Sequence, residues 1–563
     1  MKEAASSSPK IGSAAGVTLP DNPAVLNAEE YASTPSAKGR AGFPKAGGQS
    51  LSYWLQQVRS DPLLDYRTTE QLPEQVDTVI IGSGISGTLI AKHHLETWPE
   101  RSVIVLEARE FCSGATGRNA GHCKPDQWRH FAKFEKAYGH EQAVQIMNNE
   151  AATWRALVSY VKENNVDCDL WVGDTHDVPL DDDVAKIAKE CFERYRDLGG
   201  KVDHIKVTHN PVEAAKISRI KNARACYSWS ASTLQPWKLT AHIMRENLKS
   251  GVNLQTYTVA KTIAAGSSGN RKWIVHTDRG DVACDTVVHA SNAYIAALEP
   301  SLKGVITPKP HICNKVVPPR AMSGSKAIQN SYGVLLPDGG LFSINPRCTA
   351  DGVVMFGGSN PGQKQLDKWV EDHPEHCIND GLANIESITV CVREFVESNF
   401  EGWKDAEIGP GEGFDYSWSG IIGLSADGVP FVGELPGKPG QFICAGHHGH
   451  GMARIFTAAP GVVKVMNGEP WEATGLPDVY KMTPERLQRL QSATEVAPKN
   501  NAPEWVCSDD APPRQWLALP VPRVKQHCRV RRTPRRQRGT GRVIRDDESA
   551  VQILRVEAGV GGV

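Results

Sequence analysis

Residues 77–126 have the sequence DTVIIGSGISGTLIAKHHLETWPERSVIVLEAREFCSGATGRNAGHCKPD and contain the strongest structural signal in the chain. An apolar strand at residues 78–81 ends directly in the turn Gly82-Ser83-Gly84-Ile85-Ser86-Gly87. A helical pattern follows, and a second apolar strand at residues 102–106 closes on Glu107. Strand, glycine-rich turn, helix, strand and terminal acid in this order predict a βαβ unit that binds a dinucleotide.

Each part of this unit has a physical role in holding a nucleotide. Gly82 permits the tight turn, Gly84 lets backbone N–H groups approach a pyrophosphate, and Gly87 lets the helix pack close to the strand. The N-terminus of the helix offers positive potential to the phosphates. Glu107 stands where a carboxylate can accept hydrogen bonds from the adenosine ribose. The segment therefore predicts a nucleotide cofactor.

The loop after Glu107 indicates which cofactor is bound. Nicotinamide enzymes normally continue into further βαβ units, whereas residues 112–122 (CSGATGRNAGH) are mostly small and contribute little to a core. Such residues let the backbone come close to a second part of a ligand, and their amides can bind a phosphate or a flavin ring. On composition alone, a flexible surface loop is the alternative.

Glu107-Ala108-Arg109 followed by GATGRNAGH resembles the flavin-binding N-terminal region of the D-amino-acid oxidase superfamily. Within it, the branch of glycine oxidase, sarcosine oxidase and gamma-glutamylputrescine oxidase is the most similar. Further segments resembling that flavin site occur in family order at residues 253–260, 285–294, 427–433 and 446–452. The similarity covers roughly residues 70–480. It implies FAD as the cofactor.

The resemblance also implies a fold. We expect an α/β protein with a discontinuous Rossmann-like FAD-binding domain and an inserted α+β substrate domain built on an antiparallel sheet. The Ala/Ser/Gly/Pro-rich N-terminus and the basic C-terminal tail are predicted to be disordered. The N-terminal segment is expected at residues 1–50 and the tail at residues 486–563. The FAD-binding domain with its lead-in is expected at residues 51–135, 221–306 and 411–485, and the partly helical substrate domain at residues 136–220 and 307–410.

The flavin-contacting residues follow from the same resemblance. They lie in the glycine-rich turn, at the end of the second strand, in the small-residue loop and in or near the later segments. They are Gly82, Gly84, Ile85, Ser86, Gly87, Glu107, Ala108, Arg109, Gly114, Ala115, Thr116, Arg118, Asn119, Gly121, Val259, Ala290, Asn292, Gly423, Asp427, Gly449, His450, Gly451 and Met452.

A covalent bond to the flavin is not expected. Sarcosine oxidase-like enzymes carry the bonding cysteine a few residues before the aspartate of the C-terminal segment, and Gly420 occupies that position here. FAD is therefore predicted to bind non-covalently, with Cys313 and Cys444 as the alternatives for a covalent bond.

The chemistry that the family implies is oxidation of a C–N bond by hydride transfer to the flavin. His122, His448 and His450 adjoin flavin motifs and are the candidate catalytic residues; a structural role is equally open for each. Gly357-Gly358 is not followed by the arginine with which several amino-acid oxidases bind a substrate carboxylate. An amine or amino-acid derivative is therefore expected, with Arg320 and Arg347 as possible substitutes for that arginine.

Three functions are compatible with these motifs. The first is an oxidase of a small-molecule amine that passes electrons to O2 and releases H2O2. The second is a dehydrogenase of the same fold with another acceptor, such as a quinone or a protein. The third is a flavin-binding interaction protein without chemistry. Fold does not decide between them, and the intact flavin motifs favour an enzyme, for which we expect the first function.

No metal site is predicted, although residues 446–452 contain three histidines, because no second Cys/His pair supports a tetrahedral zinc site. The thirteen cysteines form no CxxC pair, which is typical of free thiols in a reducing compartment. The sequence contains no apolar run long enough to cross a membrane. Its N-terminus also lacks the apolar region of a secretory signal. We therefore expect a cytoplasmic enzyme without a membrane partner.

The C-terminal tail is strongly basic. Residues 523–545 contain ten Lys and Arg and no acid, so removing them from a net charge of −1 leaves about −11 for the rest. Such a run can bind nucleic acid or direct localisation. No aromatic residues alternate with the arginines as they do in stacking platforms. A solvated tail is therefore favoured, and a nucleic-acid partner is not expected.

Periodicity predicts the larger elements outside the flavin motifs. Helical spacing is present in four segments, and apolar runs bounded by Gly, Pro or Asp indicate three strands. The predicted helices cover residues 131–161, 181–198, 236–250 and 380–400, and the predicted strands cover residues 333–336, 340–344 and 352–358.

Overall fold

Three β-sheets organise the chain in the computed structural model, which describes residues 42–266, 271–403 and 408–496. The strands are β1 (Thr78–Ile81), β2 (Val103–Leu106), β3 (His122–Cys123), β4 (Trp171–Pro179), β5 (Lys206–Thr208), β6 (Cys226–Thr233), β7 (Asn253–Gln255), β8 (Ala260–Ala265), β9 (Trp273–Thr277), β10 (Asp281–Cys284), β11 (Thr286–His289), β12 (Ile306–Val317), β13 (Ser331–Leu335), β14 (Leu341–Pro346), β15 (Val354–Gly357), β16 (Gly413–Ser425), β17 (Phe431–Glu434) and β18 (Gln441–Ala445).

Helices cover these sheets. They are α1 (Tyr53–Gln57), α2 (Ile85–Thr97), α3 (Phe131–Tyr138), α4 (His140–Glu163), α5 (Asp182–Asp197), α6 (Pro211–Ser218), α7 (Pro236–Lys249), α8 (Pro361–Asp372), α9 (Glu386–Asn399), α10 (Ile455–Met466) and α11 (Pro484–Val496). Short 3-10 turns join several of them, including one at Gly451–Ala453 directly before α10.

The six-stranded sheet has the order β17-β18-β11-β1-β2-β7. All its pairs are parallel except β17 with β18. Strands β1 and β2 consist of apolar or β-branched residues that are buried throughout, as expected for a parallel sheet covered on both faces. Helices α2, α7 and α10 pack on one face. The antiparallel sheet β8–β10 packs on the other, where Val79 and Ile104 meet Val275.

The nine-stranded sheet has the order β16-β12-β15-β14-β13-β4-β6-β3, with β5 paired to β6. It is antiparallel except for the pair β13 and β4. One face of it packs on α9, where Phe342 of β14 meets Phe395 with ring centroids 4.2 Å apart. The α/β fold with a parallel cofactor sheet and a large antiparallel sheet is confirmed, while the exact domain boundaries stay a prediction.

Most of the predicted elements are confirmed, including the helices near residues 181–198 and 236–250 and the strands between residues 333 and 358. Two helices differ from the prediction. The pattern at residues 131–161 forms α3 and α4 rather than one helix, because Gly139 between them has a φ of +82°. The pattern at residues 380–400 becomes helical only at Glu386, because Asp380 is held in a loop by a buried ion pair with Arg109.

The predicted disordered segments lie mostly outside the described residues. The exceptions are residues 42–50 and residues 486–496, of which the latter belong to α11. The lead-in at residues 51–75 packs on the small-residue loop, since Ser52 Oγ donates to the Gly117 carbonyl at 2.5 Å and Trp54 Nε1 donates to the Asn119 carbonyl at 2.5 Å.

Candidate flavin site

A cavity of about 460 Å³ opens at the carboxyl end of the parallel strands. Ile81, Leu106 and Ala290 contribute to it from the ends of β1, β2 and β11. Ser343 and Gly357 contribute from the nine-stranded sheet, which forms the opposite wall. Ligands of open α/β sheets bind outside the carboxyl ends of the strands, so this is the position expected for the cofactor and the substrate.

The glycine-rich turn has the geometry that a pyrophosphate requires. Gly82 has a φ of +108°, which favours glycine, and a Cβ there would lie 2.8 Å from the Ala290 carbonyl oxygen. Gly84 is the N-cap of α2 and makes no side-chain cap. A Cβ on Gly87 would lie 1.9 Å from the Gly82 carbonyl oxygen, so the helix can approach the turn only with glycine there. The helix N-terminus thus faces the cavity with its positive potential available to phosphates.

Glu107 is fixed beside this turn. Its carboxylate accepts hydrogen bonds from Ser83 N at 3.0 Å, Ser83 Oγ at 2.8 Å and Arg109 N at 3.0 Å. The side chain lines the cavity and keeps acceptor capacity for hydroxyl groups. Val259 lines the same end, and its N–H donates to Asp278 Oδ1 at 2.9 Å. This end is therefore suited to an adenosine.

Buried charges hold the small-residue loop. Arg109 Nη1 contacts Asp380 Oδ2 at 2.7 Å, and Arg118 Nε lies 3.8 Å from the same oxygen. Arg118 also donates to the Ser113 carbonyl at 2.7 Å and to the Ser419 carbonyl at 3.0 Å. The loop is therefore a largely buried part of the fold and not a surface loop.

The last flavin-like segment is joined to β11 through Asn292. Its Oδ1 accepts hydrogen bonds from Gly446 N at 2.9 Å and His447 N at 3.2 Å. His447 Nε2 lies 3.4 Å from Ser86 Oγ at the start of α2. Burial and, to a smaller degree, Arg454 lower the pKa of His447 to about 3, so its imidazole is neutral at physiological pH. Segments that are more than 300 residues apart in sequence thus form one wall.

All but four of the predicted cofactor residues line the cavity. Gly87 and Gly121 lie behind it and permit close packing, since a Cβ on Gly121 would lie 2.5 Å from the Leu234 carbonyl oxygen. Gly423 packs on Asn292, whose Oδ1 would lie 2.9 Å from a Cβ there. Asp427 is also away from the cavity, because its carboxylate makes a bidentate pair with Arg486 at 2.9 and 3.0 Å.

The three candidate catalytic histidines line the cavity. His122 Nδ1 lies 2.9 Å from Ser343 Oγ, and burial together with Lys124 lowers the pKa of His122 to about 3. His448 has a φ of +52° and its N–H donates to the Gly423 carbonyl at 3.0 Å. His450 Nδ1 lies 3.6 Å from Glu150 Oε2. The catalytic role of the three histidines stays a prediction.

A histidine–carboxylate contact that was not predicted from the sequence lies beside His450. His130 Nδ1 bonds to Asp126 Oδ2, and the His130 ring meets the His450 ring edge-on at 5.6 Å. Glu150 accepts from Asp126 N at 2.8 Å and from Arg454 Nε at 3.0 Å. Burial would raise the pKa of Asp126, but the contact with His130 holds it well below its usual value. The four-residue spacing of Asp126 and His130 was the available signal.

Two cations share one carboxylate at another part of the wall. Lys124 Nζ contacts Asp177 Oδ1 at 2.5 Å, and Arg129 Nη1 contacts Asp177 Oδ2 at 3.0 Å. Both cations line the cavity, whereas Asp177 lies behind them. A Cβ on Gly333 would lie within 3.1 Å of all three side chains, so only glycine leaves room there. Asp126 also interacts electrostatically with Lys124 and Arg129.

The arginines proposed as substitute carboxylate anchors lie elsewhere. Arg347 is paired with Asp169 at 2.9 Å and stacks over Trp54 at 4.8 Å, and it does not line the cavity. Arg320, whose N–H donates to Glu412 at 2.9 Å, does not line it either. Lys124 and Arg129 line the cavity instead, where Gly333 of β13 leaves room for both side chains.

The described residues fit a flavin nucleotide. One buried polar atom on a cavity residue, Ser291 Oγ, has no protein partner. Unpartnered buried polar atoms require explanation, and a polar ligand supplies one. Within the same described residues, no group of three or more His, Cys, Asp or Glu side chains could hold a metal ion. No helix of that part of the chain is long and apolar enough to span a membrane.

Comparison with known proteins agrees with this geometry. The family described as "DAO: FAD dependent oxidoreductase" matches residues 77–464. A probable oxidoreductase OrdL of Rhizobium meliloti (strain 1021) is 22% identical over 387 residues, covering 67% of this chain and 80% of that protein. The gamma-glutamylputrescine oxidoreductase of Escherichia coli (strain K12) is 24% identical over 417 residues, covering 72% and 87%.

Solved structures share the fold. The crystal structure of glycine oxidase from Geobacillus kaustophilus superimposes with a TM-score of 0.57 at 19% identity and covers 73% of this chain and 99% of that one. The family match spans more than half of the chain and includes the βαβ unit, the small-residue loop and the last segment of the cavity wall. The chain therefore belongs to the FAD-dependent oxidoreductase family, and FAD is its cofactor.

Proposed function

We propose that this chain is an FAD-dependent amine oxidase whose substrate carries an anionic group, such as a carboxylate, and whose electron acceptor is O2. Membership of the family supports oxidation of an amine or amino-acid-type substrate. The observation that carries the anionic group is the pair of cavity cations, Lys124 and Arg129, which Asp177 holds side by side in the cavity wall.

The substrate's anionic group would bind to these cations. Lys124 and Arg129 are oriented by Asp177, so little side-chain entropy is lost when an anion binds. Charge-assisted hydrogen bonds to a buried carboxylate are among the strong ones. The substrate amine would then lie toward the flavin, on the side of His122 and His450. The name of the gamma-glutamylputrescine relative supports an amine substrate of this kind.

FAD held in the cavity would supply the acceptor for a hydride equivalent from the C–H bond beside the amine, and water would hydrolyse the resulting imine. For this step the amine must be neutral, so the chain has to accept a proton from the substrate ammonium. The His130–Asp126 pair lines the cavity and is our candidate acceptor. Burial lowers the pKa of His130 although Asp126 raises it, so the imidazole is neutral and able to take up a proton.

Non-covalent binding of the flavin is part of the proposal. Gly420, where related enzymes have the bonding cysteine, packs on Arg118, whose Cβ would lie 3.1 Å from a Cβ there. Cys313 lines the cavity and Cys444 does not, and burial raises the Cys313 pKa, which keeps the thiol protonated and unreactive. Acid precipitation of the purified protein should therefore leave FAD in the supernatant.

Oxygen uptake coupled to H2O2 formation tests the acceptor. We expect one H2O2 per O2 consumed with an amine that carries a carboxylate. The ammonium group of Lys124 in the cavity wall would favour this reaction because it stabilises the negative charge that O2 acquires. Substrate-dependent reduction of an artificial electron acceptor without O2 uptake would instead indicate a dehydrogenase.

The substitution Lys124→Met tests the anionic group. It should raise the KM for carboxylate-bearing amines by roughly tenfold to a hundredfold, the loss expected for a hydrogen bond to a charged group. Amines that lack the carboxylate should be affected little. Lys186→Met, at an exposed lysine of α5, is the matched control. An equal loss for both classes of amine would contradict an anion site at Lys124.

A further inference from the structure

The N-terminal residues 42–50 fold back across the carboxyl end of the parallel sheet. They precede the residues matched by the family, which begin at residue 77. Phe43 and Pro44 nevertheless line the same cavity as the glycine-rich turn. We call residues 42–50 the N-terminal strap. We propose that the strap forms the outer wall of the adenosine end of the FAD site and sets the affinity of the protein for the adenosine half of FAD.

One end of the strap is anchored in the buried charge cluster. Ser50 N and Ser50 Oγ donate to the Asp380 carbonyl at 2.9 and 2.8 Å. The Ser50 carbonyl accepts from Arg118 Nη1 at 2.7 Å, and Ser50 Oγ accepts from Ser419 N at 3.1 Å. Asp380 in turn pairs with Arg109 at 2.7 Å. The anchor is therefore built from the residues that also hold the small-residue loop.

The middle of the strap is attached to the loop before α9. Lys45 Nζ donates to Asn379 Oδ1 at 2.9 Å. Gly48 packs on Gly381 so closely that a Cβ on Gly381 would lie 2.3 Å from the Gly48 carbonyl oxygen. The strap and this loop thus form a continuous cover.

The N-terminal end of the strap lies at the adenosine end of the cavity. Arg109 Nη1 reaches the Lys45 carbonyl at 3.5 Å, and Arg109 follows Glu107, the predicted ribose contact, by two residues. Gly42, with a φ of +82°, lies against Ala297, whose Cβ would be 3.3 Å from a Cβ there. Ala297 adjoins Leu298, which lines the cavity and packs on the cluster of Ile81, Leu106 and Ala260. Phe43 and Pro44 are thus on the Glu107 side, away from His450.

In this position the strap can cover the adenine ring of bound FAD. Phe43 offers an apolar ring and Pro44 a rigid apolar surface, both partly buried against the cavity. Such surfaces exclude water from a bound heterocycle and gain free energy in proportion to the apolar area covered. The contribution is made to the adenosine half alone, so it is absent for FMN, which lacks that half.

The test compares FAD with FMN binding to the apoprotein of the full chain. The double variant Phe43→Ala, Pro44→Gly should weaken FAD binding by about tenfold, equivalent to about 1.4 kcal/mol, and leave FMN binding unchanged. Lys45→Ala, which removes the contact with Asn379, should weaken FAD binding in the same direction. Leu51→Ala, at an exposed residue just after the strap, is the control and should change neither.

The outcomes are distinct. A selective loss of FAD affinity supports the strap as an adenosine wall. Unchanged FAD affinity, or an equal loss for FAD and FMN, would overturn it, since the strap would then act only on folding or not at all. Thermal unfolding of each apoprotein checks that the variants fold. None of these measurements depends on the amine substrate, so failure of the proposed oxidase activity would be seen separately.

Discussion

At the scale of single residues, Gly87 is the position in the βαβ unit that tolerates an added side chain least. Its Cα faces the Gly82 carbonyl, and a Cβ would come within 1.9 Å of that oxygen. The added Cβ would clash with a backbone carbonyl, so no rotamer change can relieve the clash. The sequence pattern predicted this packing role for Gly87, and the close approach explains why the turn and the helix start are fixed relative to each other.

The substitution Gly87→Ala should therefore prevent FAD binding and destabilise the protein by several kcal/mol, as overpacking against backbone does. Gly409→Ala is the matched control, because Gly409 does not line the cavity and a Cβ there would meet only Glu412 side-chain atoms, at 3.4 Å or more. FAD titration and thermal unfolding of both variants measure the difference. Equal behaviour of the two would contradict the close packing of α2 on the turn.

The His130–Asp126 pair makes a prediction about pH. Removing the Asp126 charge takes away the interaction that raises the pKa of His130, so burial lowers that pKa further. The acid limb of kcat/KM should therefore move to lower pH in Asp126→Asn. Asp174→Asn, at a surface ion pair with Lys206, is the control and should keep the wild-type profile. An unchanged acid limb in Asp126→Asn would exclude His130 as the proton acceptor.

These residues differ in how far the sequence could predict them. The glycines of the turn follow a spacing whose physical reasons are local, so they could be predicted. Lys124 and Arg129 could not, because their shared partner Asp177 lies about fifty residues away on another strand. Asp427 shows the reverse case. Its motif suggested a cofactor contact, but the pairing with Arg486 depends on a C-terminal helix that the motif does not include.

At the scale of elements, α2 is joined to β1 by a polar contact inside an apolar layer. His94 in the last turn of α2 is fully buried, and its Nε2 lies 2.9 Å from Thr78 Oγ1. Burial, together with Arg101, lowers the pKa of His94 to about 4. In the unfolded chain the imidazole takes up a proton near its ordinary pKa of about 6.5.

Acid should therefore destabilise the fold through His94. The unfolded state binds the proton first, so the stabilisation is complete above pH 6.5 and is lost as the pH falls toward 4. This one group should lower the free energy of unfolding by about 2 kcal/mol between pH 8 and pH 5. His94→Gln keeps a partner for Thr78 and should lose about 2 kcal/mol less over that range in urea unfolding. An identical loss in both proteins would contradict a buried neutral His94.

The two helices that differ from the sequence prediction show what periodicity lacks. An apolar pattern continues smoothly from α3 into α4, and only the left-handed backbone at Gly139 separates them. Before α9 the pattern is helical as well, but Asp380 makes its ion pair with Arg109 from a turn. In both places a long-range or backbone requirement overrides local propensity.

At the scale of the whole molecule, the six-stranded sheet is assembled from three distant parts of the chain. Strands β1 and β2 come from the N-terminal part, β7 and β11 from the middle, and β17 and β18 from the C-terminal part. The motifs predicted this discontinuous arrangement because each of them ends at the cofactor. The strand order of the nine-stranded sheet could not be predicted in this way, because its antiparallel pairing depends on contacts between strands that carry no sequence motif.

The strap could not be predicted because contacts with distant parts of the chain hold it. Residues 42–50 are rich in Gly and Pro and have no periodicity. Their order comes from Arg118, Asp380 and Ser419, which are more than sixty residues away in each case. Composition describes what a segment can bury by itself, and the strap is held by polar contacts to other parts of the fold.

Anaerobic titration of the FAD-loaded protein tests the central claim, that the cavity holds FAD for oxidation of an amine. We expect a panel member with both an amine and a carboxylate to bleach the oxidised flavin absorption without O2, and admission of O2 to restore the colour. Failure of the apoprotein to take up FAD, or a flavin that no amine in the panel can bleach, would contradict the account.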